Sequence, residues 1–279
     1  MFSYNDANIN FHHSFDTYPT ENNISDSTIH AHKKHEIFYF LQGKASYLVE
    51  GHIYKLFPGS IMIMRSGELH KVEIKADAPY ERMVLHFDEA IIDFIDPEHK
   101  LLEPFYSRPL GVGNLFLPNG IRTSHIYECM KSIDSAPENN EMRKLAISAN
   151  LFSILYEIKM AYLERDNELL NKKAVSPAGE IIEFINANLG AELSLELLSS
   201  KFFISKNHLN RVFKTSTGVT VWEYIKLKRL MLARSHILEG ASASAACENS
   251  GFKDYSAFFR AYKKQFGVSP REVALVKHQ

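Results

Sequence analysis

His30, His32 and Glu36, followed about forty residues later by His70, are the side chains best suited to holding a cation. Two histidines at i and i+2 of an extended segment point to the same face, so His30 and His32 enter one interior together. Neutral imidazoles with one carboxylate suit zinc, iron, nickel or manganese and leave coordination positions open for a substrate. The same residues have a second reading, as a polar lining at the mouth of a β-rich domain that holds an organic ligand. Arg65 would oppose a cation there and offers a fork of donors to an anionic or hydroxyl-rich molecule. Phe38 supplies an aromatic surface that suits a sugar, although for any single ring the core is the better explanation. Alternation turns His35 outward, where it reads as a surface residue.

A second chemistry occurs twice near the C-terminus. Ser205-Lys206-Asn207-His208-Leu209-Asn210-Arg211-Val212-Phe213-Lys214, with Gly218 after it, aligns with Asp254-Tyr255-Ser256-Ala257-Phe258-Phe259-Arg260-Ala261-Tyr262-Lys263, with Gly267 after it. Each stretch starts with a residue that can cap a helix. In the first, Leu209, Val212 and Phe213 fall on one side; Lys206, Asn207, Asn210, Arg211 and Lys214 fall on the other. In the second, Phe258, Ala261 and Tyr262 turn inward, leaving Tyr255, Ser256, Phe259, Arg260 and Lys263 outside. Asn and Arg can pair with adenine and guanine edges, lysines suit phosphates, and Phe259 could touch a thymine methyl. Charge follows the same division. From Ser176 to Gln279 there are 14 Lys+Arg against 9 Asp+Glu, and the preceding residues carry 18 against 24, so the net charge of -1 conceals a basic C-terminal part.

The elements that must position these residues follow from period and punctuation. Apolar or alternating runs at 36–41, 45–49, 53–56, 60–64, 71–74 and 82–87, with Gly-containing breaks between several of them, predict antiparallel strands in a sandwich or small barrel over about 20–120. Helices are predicted at 124–133 and 140–165; the second is amphipathic, of nearly heptad spacing, and suits a partner helix across a two-fold axis. Residues 166–175 read as a linker, making 1–165 one domain and 176–279 another. Capping signals at Ser176-Pro177, Thr220 with Glu223, and Ser269-Pro270 frame helices at 177–188, 195–201, 206–217, 221–238, 243–250, 255–266 and from 270. These form two helix-turn-helix units joined by a long helix. The expected fold class is thus α+β in two domains, the first an antiparallel β-barrel with a helical dimerisation segment and the second all-α.

A chain of 279 residues suits about two domains. Its two cysteines, Cys129 and Cys247, lack CxxC spacing, which disfavours a disulfide framework or zinc knuckle and fits a reducing cytoplasm. Neither an export signal nor a membrane span is expected.

The N-terminal pattern resembles the cupin barrel or jelly roll. His30, His32, Glu36 and Gly43 match its first motif, and Gly59, Gly67 and His70 its second; Ile24 replaces a glycine, Arg65 a proline and Ile74 an asparagine. In metal-dependent cupins the matching histidines and glutamate bind a divalent ion. Residues 176–276 resemble the DNA-binding domain of AraC-family bacterial transcription regulators, most specifically at Gly251-Phe252-Lys253-Asp254-Tyr255 through Gly267-Val268-Ser269-Pro270. There Ala245-Ala246-Cys247 departs from the usual Glu-Ile-Ala, which predicts a smaller core at roughly 1 kcal/mol per lost methylene.

The resemblance implies a cytoplasmic, homodimeric, ligand-responsive activator of carbohydrate-utilisation genes, with no catalytic activity and no resident cofactor. Its implied partners are double-stranded DNA, RNA polymerase and a sugar or oligosaccharide effector held by His30, His32, Glu36, Phe38, Arg65 and His70. Two alternatives remain at this level: a metal-dependent cupin oxygenase or isomerase using His30, His32, Glu36 and His70 and carrying a DNA-binding appendage, and a regulator controlled by a partner protein.

Overall fold

The computed structural model describes residues 2–17, 29–75, 77–118, 121–137, 139–165, 174–175 and 178–276. The chain divides into two compact units, Met1–Ala174 and Val175–Gln279. Most of the linker expected at 166–175, and the Ser176-Pro177 capping signal, lie outside the described residues.

The first unit contains strands β1 (Phe2–Asn5), β2 (Ile9–Asp16), β3 (His35–Gln42), β4 (Ala45–Val49), β5 (His52–Lys55), β6 (Ile61–Met64), β7 (His70–Ile74), β8 (Tyr80–Phe87) and β9 (Leu115–Phe116), then helices α1 (Glu103–Tyr106), α2 (Ile121–Asp134) and α3 (Asn140–Leu163). One sheet has the order β1-β2-β8-β3-β6-β9; the other has the order β10-β5-β4-β7, where β10 is the pair Ala174–Val175. Its antiparallel ladders place Glu36 opposite both His86 on β8 and Met64 on β6.

Strand β3 reads as an almost unbroken apolar run because both of its faces are covered. Ile37 and Tyr39 enter a core shared with Ile126 and Met130 of α2 and Leu151 and Ile154 of α3. Phe38 and Phe40 enter a second core, between the sheets, with Tyr47, Val49, Met62, Met64 and Val72.

Two expectations are corrected here. Among the described residues the strands form two separate sheets and are not closed into a barrel, so the cupin or jelly-roll expectation does not hold. The stretch carrying His30 and His32 supplies no strand for closure: His30 makes a single antiparallel bridge to His70, and the ladder begins only at His35. The second correction is β2, an eight-residue strand paired with the whole of β8 yet outside the predicted strands. Asn, His and Ser at its alternate positions mask Ile9 and Phe11, which are fully buried.

In the second unit, α4 (Gly179–Ala187), α5 (Leu195–Lys201), α6 (Lys206–Thr217), α7 (Val221–Leu238), α8 (Ala243–Asn249), α9 (Tyr255–Phe266) and α10 (Pro270–Val276) lie within a few residues of the predicted helices. Local chemistry sets the ends. Ser205 accepts from the His208 amide, Asp254 accepts from the Ser256 and Ala257 amides, and Thr220 and Glu223 form a reciprocal capping box. Helices α6 and α9 both end on glycine in the left-handed region, Gly218 at φ 84 and Gly267 at φ 73. One core joins Leu230, Ala233 and Ile237 of α7 to Ala246 and Cys247 of α8 and Phe258, Tyr262 and Phe266 of α9.

Candidate functional sites

Glu36 is the centre of the first site. Its place on β3 has the parity of Phe38 and Phe40, so its carboxylate faces between the sheets, and the ladder sets His86 beside it. Its Oε2 lies 2.8 Å from His32 Nε2, 2.9 Å from His86 Nε2 and 3.4 Å from His70 Nε2. Tyr47 donates its hydroxyl hydrogen to Oε1 at 2.8 Å. His30 joins through its bridge to β7, its ring centroid 4.5 Å from that of His70 and 6.0 Å from that of His32.

Burial alone would raise the Glu36 pKa, but the imidazoles of His70, His32 and His86 hold the carboxyl well below its usual range. Burial pushes His32 down to about 4, outweighing the pull of Glu36. Ligand atoms of His30, His32 and His70 lie within 4.8 Å of one another, as do those of His32, Glu36 and His86, so both groups can coordinate a metal ion.

Phe38 and Arg65 complete the set read as ligand-binding. Phe38 is fully buried and packs edge-on against Tyr47, with centroids 5.0 Å apart. Arg65 is half-buried, with Glu68 as its principal opposite charge, and its backbone N–H donates to Glu68 Oε2 at 3.1 Å. His35 is buried, contrary to its surface reading. The sheet face opposite Glu36 is roofed by protein, so the His35 ring lies 5.1 Å from Phe105 and 5.2 Å from Phe87, with Nε2 2.9 Å from Glu89. Sequence reasoning missed His86. The available signal was alternation along the predicted strand 82–87, which places Val84 and His86 on the face opposite Met83, Leu85 and Phe87.

The second site is the pair α6 and α9. Leu209 and Phe213 are buried beneath α6, while Lys206, Asn207, Arg211 and Lys214 are exposed and Asn210 is half-buried. Phe258 and Tyr262 are buried beneath α9; Ser256, Arg260 and Lys263 are exposed, and Tyr255 and Phe259 half-buried. Tyr255 packs on Phe258 and Phe259, with centroids 5.8 and 6.4 Å away. Lys206 pairs with Glu196, and the Arg211 guanidinium lies 3.3 Å from His208 Nδ1.

Comparison with known families bears on both units. An AraC-like ligand binding domain matches residues 15–155, and a helix-turn-helix domain matches residues 198–274. The chain belongs to the AraC family of transcriptional regulators. Membership sets aside the oxygenase or isomerase alternative, because AraC-family proteins regulate transcription and are not enzymes.

Similar chains include the Msm operon regulatory protein of Streptococcus mutans, 25% identical over 236 residues that cover 84% of this chain and 81% of that one. The transcriptional activator RhaS of Escherichia coli is 23% identical over 278 residues, 94% of this chain and 95% of its own. Among solved structures, ToxT of Vibrio cholerae aligns over 96% of this chain and 98% of its own, at 12% identity and a TM-score of 0.37. No helix among the described residues is long and apolar enough to cross a membrane.

Proposed function

We propose that this AraC-family regulator is a sequence-specific, ligand-responsive activator of carbohydrate-utilisation genes that works in the cytoplasm as a homodimer. The observation that carries the DNA half of the reading is the repeat of one helix design in α6 and α9: a side-chain cap, a buried apolar face and an exposed cationic face. In this reading Asn207, Asn210, Arg211, Ser256, Phe259 and Arg260 face base edges, while Lys206, Lys214, Tyr255 and Lys263 face the phosphate backbone. Helix α7, with 18 residues, spans roughly 27 Å at 1.5 Å per residue. Recognition helices at its ends then fall about one DNA turn apart, roughly 34 Å, and suit successive major grooves.

The effector half rests on the polar His32, Glu36, His70 and His86 set beside His30. The rest of the inter-sheet space holds Phe38, Phe40, Tyr47, Met62, Met64 and Tyr80, which directs a ligand toward the histidine-lined end. A sugar or oligosaccharide effector, and contact with RNA polymerase, follow from the family resemblance; RhaS is itself named a transcriptional activator.

Dimerisation is supported by α3. Ile147, Leu151, Ile154 and Ile158 are buried, and a second stripe, Met142, Leu145, Ala149 and Tyr156 with half-buried Phe152 in register, runs at alternating three- and four-residue steps, with exposed Leu163 one heptad beyond. An effector that binds one arrangement of the protein more tightly than another is enough to switch it.

The direct experiment is operator binding by fluorescence anisotropy, using DNA selected from random sequence. Arg211→Ala and Arg260→Ala should each weaken specific binding by about 1–3 kcal/mol and relax sequence preference. Unchanged affinity and preference in both would overturn the assigned faces.

A further inference from the structure

Three imidazoles converge on Glu36. His32 Nδ1 lies 2.7 Å from the carbonyl oxygen of Lys34, and His70 Nδ1 lies 2.7 Å from that of Glu68. A carbonyl only accepts, so each Nδ1 carries its hydrogen and donates it. In a neutral ring this leaves the Nε2 lone pair, and both Nε2 atoms are aimed at the Glu36 carboxylate. Each Nε2 can meet that oxygen through a proton or through a metal ion held between them, and His86 Nε2 arrives at the same oxygen.

A metal ion among these atoms would take the place of protons on the rings. Anchoring the distal ring nitrogen on a backbone carbonyl is also how proteins orient metal-binding histidines, and the Tyr47 hydroxyl orients the carboxylate in the same manner. Separations of 2.8 and 2.9 Å from Oε2 to the Nε2 atoms of His32 and His86 are of the order of the donor–donor edge of about 3.3 Å in a tetrahedral site with bonds of 2.0–2.1 Å.

We infer that the N-terminal unit binds one divalent transition-metal ion of the zinc class through His32, Glu36 and His86, whose ligand atoms lie within 4.8 Å of one another. His70, whose Nε2 lies 3.4 Å from Oε2, and His30 stand beside this set. The set differs from the histidine pattern read in the sequence by His86, which the β3–β8 register delivers. Two imidazoles and one carboxylate favour zinc, cobalt or nickel over magnesium or calcium, which prefer all-oxygen shells. Glu36 and His70 close the buried side of the site, while His32 and His86 are each about one-fifth exposed or slightly more, so ions enter past them. The inference deepens the effector half of the proposed function and is independent of its DNA half.

The test uses the untagged full-length chain, stripped with a chelator and titrated with Co²⁺ alone, followed by Zn²⁺ competition. One equivalent of Co²⁺ per chain, visible d–d absorption and displacement by Zn²⁺ are expected. His86→Ala should weaken binding at least about tenfold and alter the spectrum. Glu36→Gln should do the same, and His86, being partly exposed, keeps the test available if the buried Glu36 variant does not fold. His13→Ala, on the other face of β2, should bind like the parent chain. Absence of stoichiometric binding, or an unchanged affinity and spectrum in His86→Ala, would overturn the inference and leave protons as the cations among these rings. Operator binding measured on the same preparations separates the outcomes: lost metal binding with retained DNA binding removes only the metal site, and the reverse removes only the DNA reading.

Discussion

Glu68 and Arg108 form a two-point ion pair in the interior, with Nη1 2.8 Å from Oε1 and Nη2 2.7 Å from Oε2. Both side chains are almost wholly buried, and Asn114 and the Gly111 amide also donate to the carboxylate. The pair ties the turn before His70 to the segment after α1. Glu68→Gln keeps the volume but leaves the Arg108 charge unpaired. Urea unfolding should show a loss of roughly 3–5 kcal/mol, the cost of stranding one member of a buried pair; a loss below about 1 kcal/mol would count against this account.

Alkaline stability should report on Tyr54. Burial pushes its phenol up to about 12, and its hydroxyl donates to the Gly111 carbonyl at 2.6 Å. In the unfolded chain the group ionises near 10, and in the folded chain it holds its proton to a higher pH. The folded state is therefore unaffected by this group below pH 10 and loses stability as pH rises from 10 to 12, by up to about 3 kcal/mol. Tyr54→Phe should cost roughly 1 kcal/mol at neutral pH for the lost hydrogen bond and show a shallower fall between pH 10 and 12.

Lys214 is exposed in the last turn of α6 and is assigned to a phosphate. Lys214→Ala should weaken binding about equally for all DNA sequences and reduce the slope of log affinity against log salt by about one. A selective loss for one operator sequence would instead make Lys214 a base reader.

The exposed stripe of α3 predicts that Leu145→Glu with Tyr156→Glu yields a folded monomer. Sedimentation equilibrium of the parent chain should give a dimer, and circular dichroism of the variant an unchanged helix content. A monomeric parent chain would remove α3 as a dimer interface.

Gly251 holds the turn after α8 at φ 84, and a Cβ there would meet the Leu189 carbonyl oxygen at 2.5 Å and the Arg229 guanidinium at 2.9 Å. Gly251→Ala should therefore destabilise the second unit by roughly 1–3 kcal/mol, the cost of a strained backbone position, with the steric clash added. Thermal unfolding measures it, and an unchanged midpoint would show that the turn relaxes freely.

Legibility differed between the units. The bounds of α5, α6, α7 and α9 follow directly from capping residues, terminal glycines and an apolar period of 3.6, because helix signals are contained within one stretch of chain. The apolar runs likewise mark strands β3 to β8. What they do not carry is pairing: β2 went unread because its partner β8 lies some seventy residues away. His35 reads as a surface residue by alternation alone, and is buried because helices cover that face of the sheet.

By itself, then, the sequence determined the helical C-terminal unit, the faces of its two repeated helices, the family, and the residue types Glu36, His30, His32 and His70 that could bind a cation. The tertiary structure alone decided that the strands divide into two sheets, that Phe38 belongs to the core and Arg65 to the neighbourhood of Glu68, and that His86 stands against Glu36. The physical reason is range. Caps, turns and helical faces are settled by neighbours within four residues, whereas sheet closure and the convergence of side chains on one carboxylate depend on the register between strands distant in the chain.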